Sequence, residues 1–413
     1  MAITLIKSGK KKGHYRVRIQ PVDRTTGKTI KIPSVITNGT TRSEAVNLET
    51  KLWAKFHDEV KIENQMLDQP LSEAFQKYVD ECHDNDRWED STYYDWQYTA
   101  KLIKKFFGRQ KIKDVREADV NSFAHDYVKK HKTRVAKHTT IDRQLQNIRS
   151  FFNKMRQYGL TVNPVPESAL SQFFRKGDMT IPDKKYVFTS DEVNAIRTTL
   201  FAELKDTPFI YWGSRLAILI ALDTGMRPQE IQALRWDEFM KEDNYTVLSI
   251  DDSWCERSKK FNGHLKAWMK GESRKTLALS SELLSVLKDY HQKQIAILNR
   301  KKLENANDLV LLNLTDFARC SKGLPIAQRT MNDMLKRTAK KVEVNNGSLA
   351  VTMYTCRHTV ATKLGNTPNM SYPWAASRLG HSLQMFMRTY VHPDKDLDQS
   401  MLELSSLSTQ FSA

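Results

Sequence analysis

Residues 379–393, LGHSLQMFMRTYVHP, hold a histidine, a tyrosine nine residues later and a second histidine two after that. Gly380 suits the left-handed end of one short helix and Ser382 the cap of the next, so His381 falls in the elbow between them. Tyr390 then lies about two turns into the second helix. Taken alone, the stretch reads equally well as an ordinary amphipathic aromatic or as a hydroxyl poised for attack. The rest of the sequence has to decide.

At 413 residues the chain has length for two or three domains of ordinary size. A hydrophobic content of 40% and a charged content of 27% fit globular material rather than a disordered polyelectrolyte or a membrane bundle. No run approaches the roughly 18 apolar residues of a transmembrane helix. The start MAITLIKSGKKKGHYRVRI lacks the pattern of a secretory leader. Cys82, Cys255, Cys320 and Cys356 are scattered and form no C-x-x-C pair. That points to free thiols in a reducing cytoplasm and away from zinc or disulfides. The net charge of +17 is the strongest compositional signal. Such a field repels itself and is usually offset by binding a polyanion. Nucleic acid is the leading partner. An anionic membrane surface comes second, but no basic amphipathic helix suits one.

Residues 1–60 carry twelve Lys and Arg against five acids. HYRVRIQPV alternates basic and apolar residues as a strand does, RTTGK turns around Gly27, and KTIKIPSV reads as a second strand. A helix then opens on a capping box, Thr41 with Glu44. His14, Arg16 and Arg18 share one face of the first strand, a plausible reader of a groove or of phosphates. Residues 68–163 lack strand signals and read as four helices, ending in HTTIDRQLQNIRSFFNKMRQYG. There Ile141, Leu145, Ile148, Phe151, Phe152 and Met155 form a helical stripe. Before that helix runs KKHKTRVAKH, whose Lys129, Lys130, Lys132, Arg134 and Lys137 form either a solvated loop or a DNA contact beside a helix N-terminus. NPVPESALSQFFRKGDMTIPDKK (163–185) reads as a linker. FTSDEV opens a further domain, again with a capping box, Thr189 with Glu192.

Four pieces of that last domain bear chemistry. In TGMRPQEIQALRW, Pro228 suits the first turn of a helix and leaves Arg227 at its N-terminus. There the guanidinium and the free N–H groups can converge on an anion, with Glu230 bracing the arginine. HLKAWMKGESRKTLALS reads as a hairpin turning at Gly271-Glu272-Ser273, with Lys266, Trp268 and Lys270 on one face and Leu265, Ala267 and Met269 on the other. In VTMYTCRHTVATKLG, Cys356, Val360 and Leu364 point inward and Gly365 ends the helix, while Tyr354, Arg357 and His358 lie within one turn on another sector. The fourth piece is the opening stretch. Each is explicable alone as structure: a surface ion pair, edge lysines, a satisfied Arg-His pair, a buried aromatic. The chain shows no Gly-rich phosphate loop, no H-E-x-x-H and no nucleophile elbow.

In this order, the pieces resemble the tyrosine recombinases, specifically integrases of phage and conjugative elements. TGMRPQEIQALRW is similar to the family's first-arginine box, giving Arg227 and Glu230. KGESRKTLAL resembles the hairpin whose catalytic lysine lies eight residues before a frequent proline, here Ala278, which singles out Lys270. RHTVAT resembles the second-arginine box with Arg357, and LGHSLQMFMRTYVH the box with His381 and the nucleophile Tyr390. Where the family commonly has His or Lys three residues before the second arginine, this chain has Tyr354, and a phenol is a poor general base at neutral pH. The resemblance extends upstream, to a core-binding helical domain and an arm-type N-terminal module.

The implied fold is multidomain and mainly α with small β-sheets. A ββ-α arm-type module spans 1–64, an all-helical core-binding domain 65–165, a linker 166–186, a mixed α+β catalytic domain 187–400 and a tail 401–413. The implied enzyme cleaves and rejoins DNA at specific sites to integrate and excise a mobile element. Arg227 and Arg357 would clamp the phosphate, with His381 adding a hydrogen bond and His358 supporting it. Lys270 would protonate the leaving oxygen, and Tyr390 would form a 3′-phosphotyrosyl bond. No cofactor is implied. The implied partners are core and arm DNA sites, a homotetramer on DNA, and DNA-bending and directionality proteins, in the nucleoid of a bacterial cytoplasm. Two other readings stay open: a DNA-binding regulator that has lost catalysis, and a chromosome-dimer resolvase or type IB topoisomerase.

Overall fold

The computed structural model describes residues 3–21, 29–30, 32–85, 87–180, 185–266, 268–391 and 402, with the side chains of 54 and 57–65 excepted. The chain divides into two compact units, Met1–Pro182 and Asp183–Ala413. In the first, the alternation in HYRVRIQPV produces the strand Tyr15–Val17, the middle of a three-stranded antiparallel sheet. Val17 stands opposite Ile3 on one side and Val35 on the other. Val17 and Ile19 turn inward while Arg16 and Arg18 stay exposed, the period of two that a half-buried strand requires. The sequence reading did not assign the strand Ile3–Leu5, which is too short for a period to register. The strand expected in KTIKIPSV does not form as read: residues 32–34 are irregular and the paired strand is Val35–Ile36, which shares only Val35 with that stretch, while the turn around Gly27 lies outside the described residues. His14 does not stand free beside the arginines, because its Nδ1 lies 2.9 Å from the Thr37 carbonyl oxygen. Helix Arg42–Leu67 completes the module. Thr41 Oγ1 accepts from the Glu44 amide at 3.3 Å, one half of the expected box.

Four helices follow, Leu71–Asp84, Asp90–Phe107, Glu117–His131 and Thr140–Met155. The stripe from Ile141 to Met155 is buried with Phe75, Ile103 and Phe123. One polar knot sits in this core. Thr99 donates to Gln144 Oε1 at 2.7 Å and accepts from Asn147 Nδ2 at 2.8 Å. Left unpaired, each such buried group would cost about 1–3 kcal/mol. The stretch expected to be a linker behaves differently. Ala169–Phe173 is a short helix, and Leu170, Phe173 and Phe174 are buried in the helical core. Pro164 and Pro166 mark a break, but the apolar residues after them carry the chain back onto the bundle.

In the second unit, Thr189 and Glu192 form the full capping box, with side chain to amide hydrogen bonds of 3.2 and 2.9 Å, and open helix Ser190–Asp206. Helix Gly213–Thr224 is buried along most of its length. Helices Ser281–Lys301, Gln328–Lys341 and Met353–Asn366 pack around it. The sheet runs Phe239–Glu242, Tyr245–Ile250, Arg274–Lys275, all antiparallel. This corrects the expected hairpin. Arg274 and Lys275 pair with Ile250 and Ser249, not with residues 264–270. The latter stretch spends its amides locally: Trp268 donates to the Leu265 carbonyl at 3.1 Å, and Met269 to a Glu272 carboxylate oxygen at 2.9 Å. The two-faced alternation expected there is therefore absent among the described residues, and Ala267 lies outside them. Helices Tyr372–Leu379 and Leu383–Tyr390 close the unit, burying Ala375, Leu379, Phe386 and Tyr390 with Ala361. Of the tail expected at 401–413, only Leu402 lies within the described residues. No helix among those residues is long and apolar enough to cross a membrane.

Candidate active site

Arg227 caps helix Pro228–Ala233 in extended backbone, φ −71° and ψ 148°, as the proline after it dictates. One turn on, Glu230 is buried and answers it twice. Its Oε2 accepts from the Arg227 amide at 2.8 Å and its Oε1 from Arg227 Nη1 at 2.8 Å. A second arginine shares the carboxylate: Arg274 Nη2 donates to Glu230 Oε2 at 2.6 Å. Burial works against charge on Glu230, yet Arg274, Arg357 and Arg227 together outweigh it and hold the carboxyl below its ordinary range. Arg274 also donates to the Arg378 carbonyl, and its Nε is buried without a partner among the described residues. The sequence reading missed this residue. It sits on the inward register of its strand beside buried Thr276, which only the correct strand pairing reveals.

The elbow expected at residues 380–382 forms. Gly380 has φ 64°, and Ser382 Oγ accepts from the Met385 amide at 3.3 Å. The Gly380 carbonyl accepts from Arg227 Nη2 at 2.9 Å. A Cβ on Gly380 would meet Arg274 Nε at 2.8 Å and Arg227 Nη1 at 3.4 Å, so a side chain here would push both guanidiniums aside. Arg357, 2% exposed, reaches the same elbow. Its Nη1 donates to the Gly225 carbonyl at 2.8 Å, and its Nη2 donates to the Leu379 carbonyl and to His381 Nε2. Burial and the neighbouring Arg227 push its pKa down to about 9, which leaves the guanidinium charged at neutral pH. Because His381 Nε2 accepts, its proton sits on Nδ1, which is buried without a partner among the described residues. Burial first, then Arg357 and Arg227, push the imidazole down to about 2, so it is neutral.

Tyr390 is 6% exposed, and its ring stacks on His381 with centroids 5.4 Å apart and planes within 13°. Its hydroxyl meets His358 Nδ1 at 2.9 Å. Burial raises the phenol's pKa, while Arg357 and Arg227 pull it the other way. His358 is pushed down to about 4 by burial, Lys185 and Arg357. Gly365 does not end its helix, as the sequence reading expected; the helix runs on to Asn366. Its missing side chain serves a close approach, since a Cβ there would lie 2.5 Å from the Tyr390 carbonyl oxygen.

Arg227, Glu230, Arg357, His358, His381 and Tyr390 therefore converge. Two candidates stand apart. Tyr354 is exposed and its hydroxyl donates to Gln229 Oε1 at 3.0 Å. Lys270 is exposed on the loop after Leu265 and has no hydrogen bond or ion pair among the described residues. In the first unit, Lys129, Lys130, Lys132, Arg134 and Lys137 are all exposed around the loop before helix Thr140–Met155, with Lys130 paired to Asp126 at 2.7 Å. No three His, Cys, Asp or Glu among the described residues are arranged to hold a metal. Chemically, the cluster brings two arginine guanidiniums, Arg227 and Arg357, together with a tyrosine hydroxyl and two imidazoles, the groups that bind and attack a tetrahedral anion.

A family model described as the phage integrase family matches residues 186–396. Among solved structures, the Tn1549 transposon integrase in complex with transposon right end DNA matches with a TM-score of 0.57 and 19% identity, over 79% of this chain and 98% of that one. The XerH site-specific recombinase bound to palindromic difH substrate matches with a TM-score of 0.55 and 17% identity, over 82% and 85%. A lambda integrase dimer bound to a COC′ core site matches with a TM-score of 0.52 and 15% identity, over 95% and 94%. At such identities these likenesses concern the fold. No curated protein matches the chain.

Proposed function

The chain belongs to the phage integrase family, the tyrosine recombinases, and from that premise we propose how its residues divide the work. The enzyme carries out site-specific DNA recombination, breaking and rejoining strands through a phosphotyrosyl intermediate. Tyr390 is the nucleophile. Arg227 and Arg357 hold the non-bridging oxygens of the scissile phosphate and stabilise the charge that grows on them. Glu230 fixes Arg227, and His381 adds a hydrogen bond to the same phosphate. Lys270 protonates the leaving 5′ oxygen, its exposed loop leaving the ammonium able to swing onto a bound strand. Tyr354 orders Gln229 at the rim. Because the phenol ester conserves the energy of the broken bond, a 5′ hydroxyl from another duplex can reverse the step without a nucleotide or a metal. The observation that carries this reading is the convergence of Arg227, Arg357, His381 and Tyr390 on one elbow from distant parts of the chain.

The reading extends to the organisation of the chain. Residues 1–64 are an arm-site reader through Arg16 and Arg18, residues 65–165 with the helix that follows them grip the core site, and 187–400 perform the chemistry. The lambda integrase forms a tetramer on a Holliday junction; this protein assembles likewise, on paired sites of a mobile element in a bacterial cell, with bending and directionality proteins as helpers. The test is Tyr390→Phe on a nicked core-site duplex. It should bind DNA and form no covalent adduct; a persistent adduct would overturn the assignment.

A further inference from the structure

A nucleophilic phenol must lose its proton, and neither the arginine clamp nor Lys270 can take it. Resting on the assignment of Tyr390 as nucleophile, we propose that His358 is the general base that removes the Tyr390 proton through its Nδ1. Nδ1 lies 2.9 Å from the phenol oxygen, within the reach a proton transfer needs. The other candidates are spent or misdirected. Tyr354 is exposed and donates its hydroxyl to Gln229. His381 uses Nε2 to accept from Arg357, and its ring lies face to face with Tyr390 rather than along the O–H bond. Gly365 lets the helix bearing His358 approach the backbone of Tyr390 closely enough for the contact.

His358 enters the step as a neutral imidazole, because burial, Lys185 and Arg357 disfavour its protonated form, and in the proposed step its Nδ1 accepts from the Tyr390 hydroxyl 2.9 Å away. So weak a base suffices. As the Tyr390 oxygen–phosphorus bond forms, the attached proton becomes far more acidic, and transfer runs downhill before the bond is complete. The anionic phosphate seated between Arg227 and Arg357 also offsets the cations that depress His358. The balance is closed. The O–H bond of Tyr390 breaks and its proton goes to Nδ1; the oxygen–phosphorus bond forms; the phosphorus–O5′ bond breaks; the leaving oxygen takes a proton from Lys270. On rejoining, the same imidazolium returns its proton to the departing phenolate.

The experiment is single-turnover cleavage of a nicked core-site duplex by the full chain, read as covalent adduct against time across a pH series. His358→Asn keeps an acceptor oxygen near the phenol but cannot hold a proton. The expected result is adduct formation roughly 10²–10⁴-fold slower, with DNA affinity and melting temperature unchanged. The variant should also lose the decline in rate that the wild type shows as pH falls through the titration of its base. The groups facing His358 are Arg357 on its own helix, Lys185 before the first helix of the unit, His381 in the elbow and Tyr390 itself. The decline must therefore survive in His381→Asn. A His358→Asn enzyme that cleaves at the wild-type rate overturns the proposal. So does a slow one that keeps the same acid decline, since His358 would then be a positioning residue. Should the Asn variant not melt cooperatively, His358→Gln is read by the same criteria. Tyr390→Phe separates the two levels: an adduct there removes the nucleophile, whereas no adduct there with a fully active His358→Asn removes the base alone.

Discussion

Gly365→Ala should slow strand cleavage about 100-fold while leaving DNA binding intact. In an ordinary helix this change is favourable by about 1 kcal/mol. Here the new Cβ would stand 2.5 Å from the Tyr390 carbonyl oxygen, 2.9 Å from its carbonyl carbon and 3.3 Å from the Val391 nitrogen. All three are backbone atoms, so no rotamer change relieves the overlap. Restoring ordinary contact at about 3.5 Å asks the two helices to part by about 1 Å. Such overpacking costs about 1–3 kcal/mol, part of which the gain in helix propensity offsets, so the protein should still fold. The chemistry has no such reserve. Arg357 and His358 ride on one helix and Tyr390 on the other, and a 2.9 Å contact lengthened by an ångström is no longer a hydrogen bond. Misplacement on that scale costs about two orders of magnitude in rate. The assay is adduct formation on a nicked site at saturating enzyme, beside a binding isotherm on the intact site. Cleavage within a few-fold of the wild type would show that the close approach of these helices does not set the geometry of attack.

Arg274→Met should destabilise the protein by about 3 kcal/mol, because it strips one of two partners from a buried carboxylate. Arg274→Lys should not restore it, since an ammonium lacks the fork that reaches both Glu230 and the Arg378 carbonyl; denaturant unfolding checks both. Lys132→Ala should weaken DNA binding evenly across sequences and reduce the slope of log affinity against log salt by about 1, measured from binding isotherms over a salt series.

Much of this could be read from the chain, and what could not has physical reasons. The helix Thr140–Met155 announced itself because six apolar residues recur at helical spacing, and burial follows that spacing. The elbow at Gly380 and Ser382 was legible because turn chemistry is local. The hairpin around Lys270 was misread because strand pairing is not local. Arg274 takes its partner from Ile250, across a ribbon of Trp254–Cys255 and Lys260–Phe261 that the alternation gave no sign of. That error hid Arg274, since an arginine in a presumed surface hairpin looks solvated. Gly365 was mistaken for a helix end because a glycine near the end of an apolar stripe fits a cap, and only the neighbouring helix shows what the missing side chain makes room for. His358 was read as supporting the phosphate. Its contact with Tyr390 spans 32 residues and depends on how two helices cross.

The polar knot in the helical core matters to anyone who would redirect this protein to a new DNA sequence. Thr99 ties the Asp90–Phe107 helix to Gln144 and Asn147 of the Thr140–Met155 helix. It accepts only one rotational setting of the pair, because a turn of either helix would strand amide groups in an apolar interior. Transplanting the outward residues of Thr140–Met155 from another protein would keep that setting only if Gln144 and Asn147 stay behind. On the proposed role of residues 65–165 in gripping the core site, these three buried residues would act as the alignment pins of an interchangeable reading head.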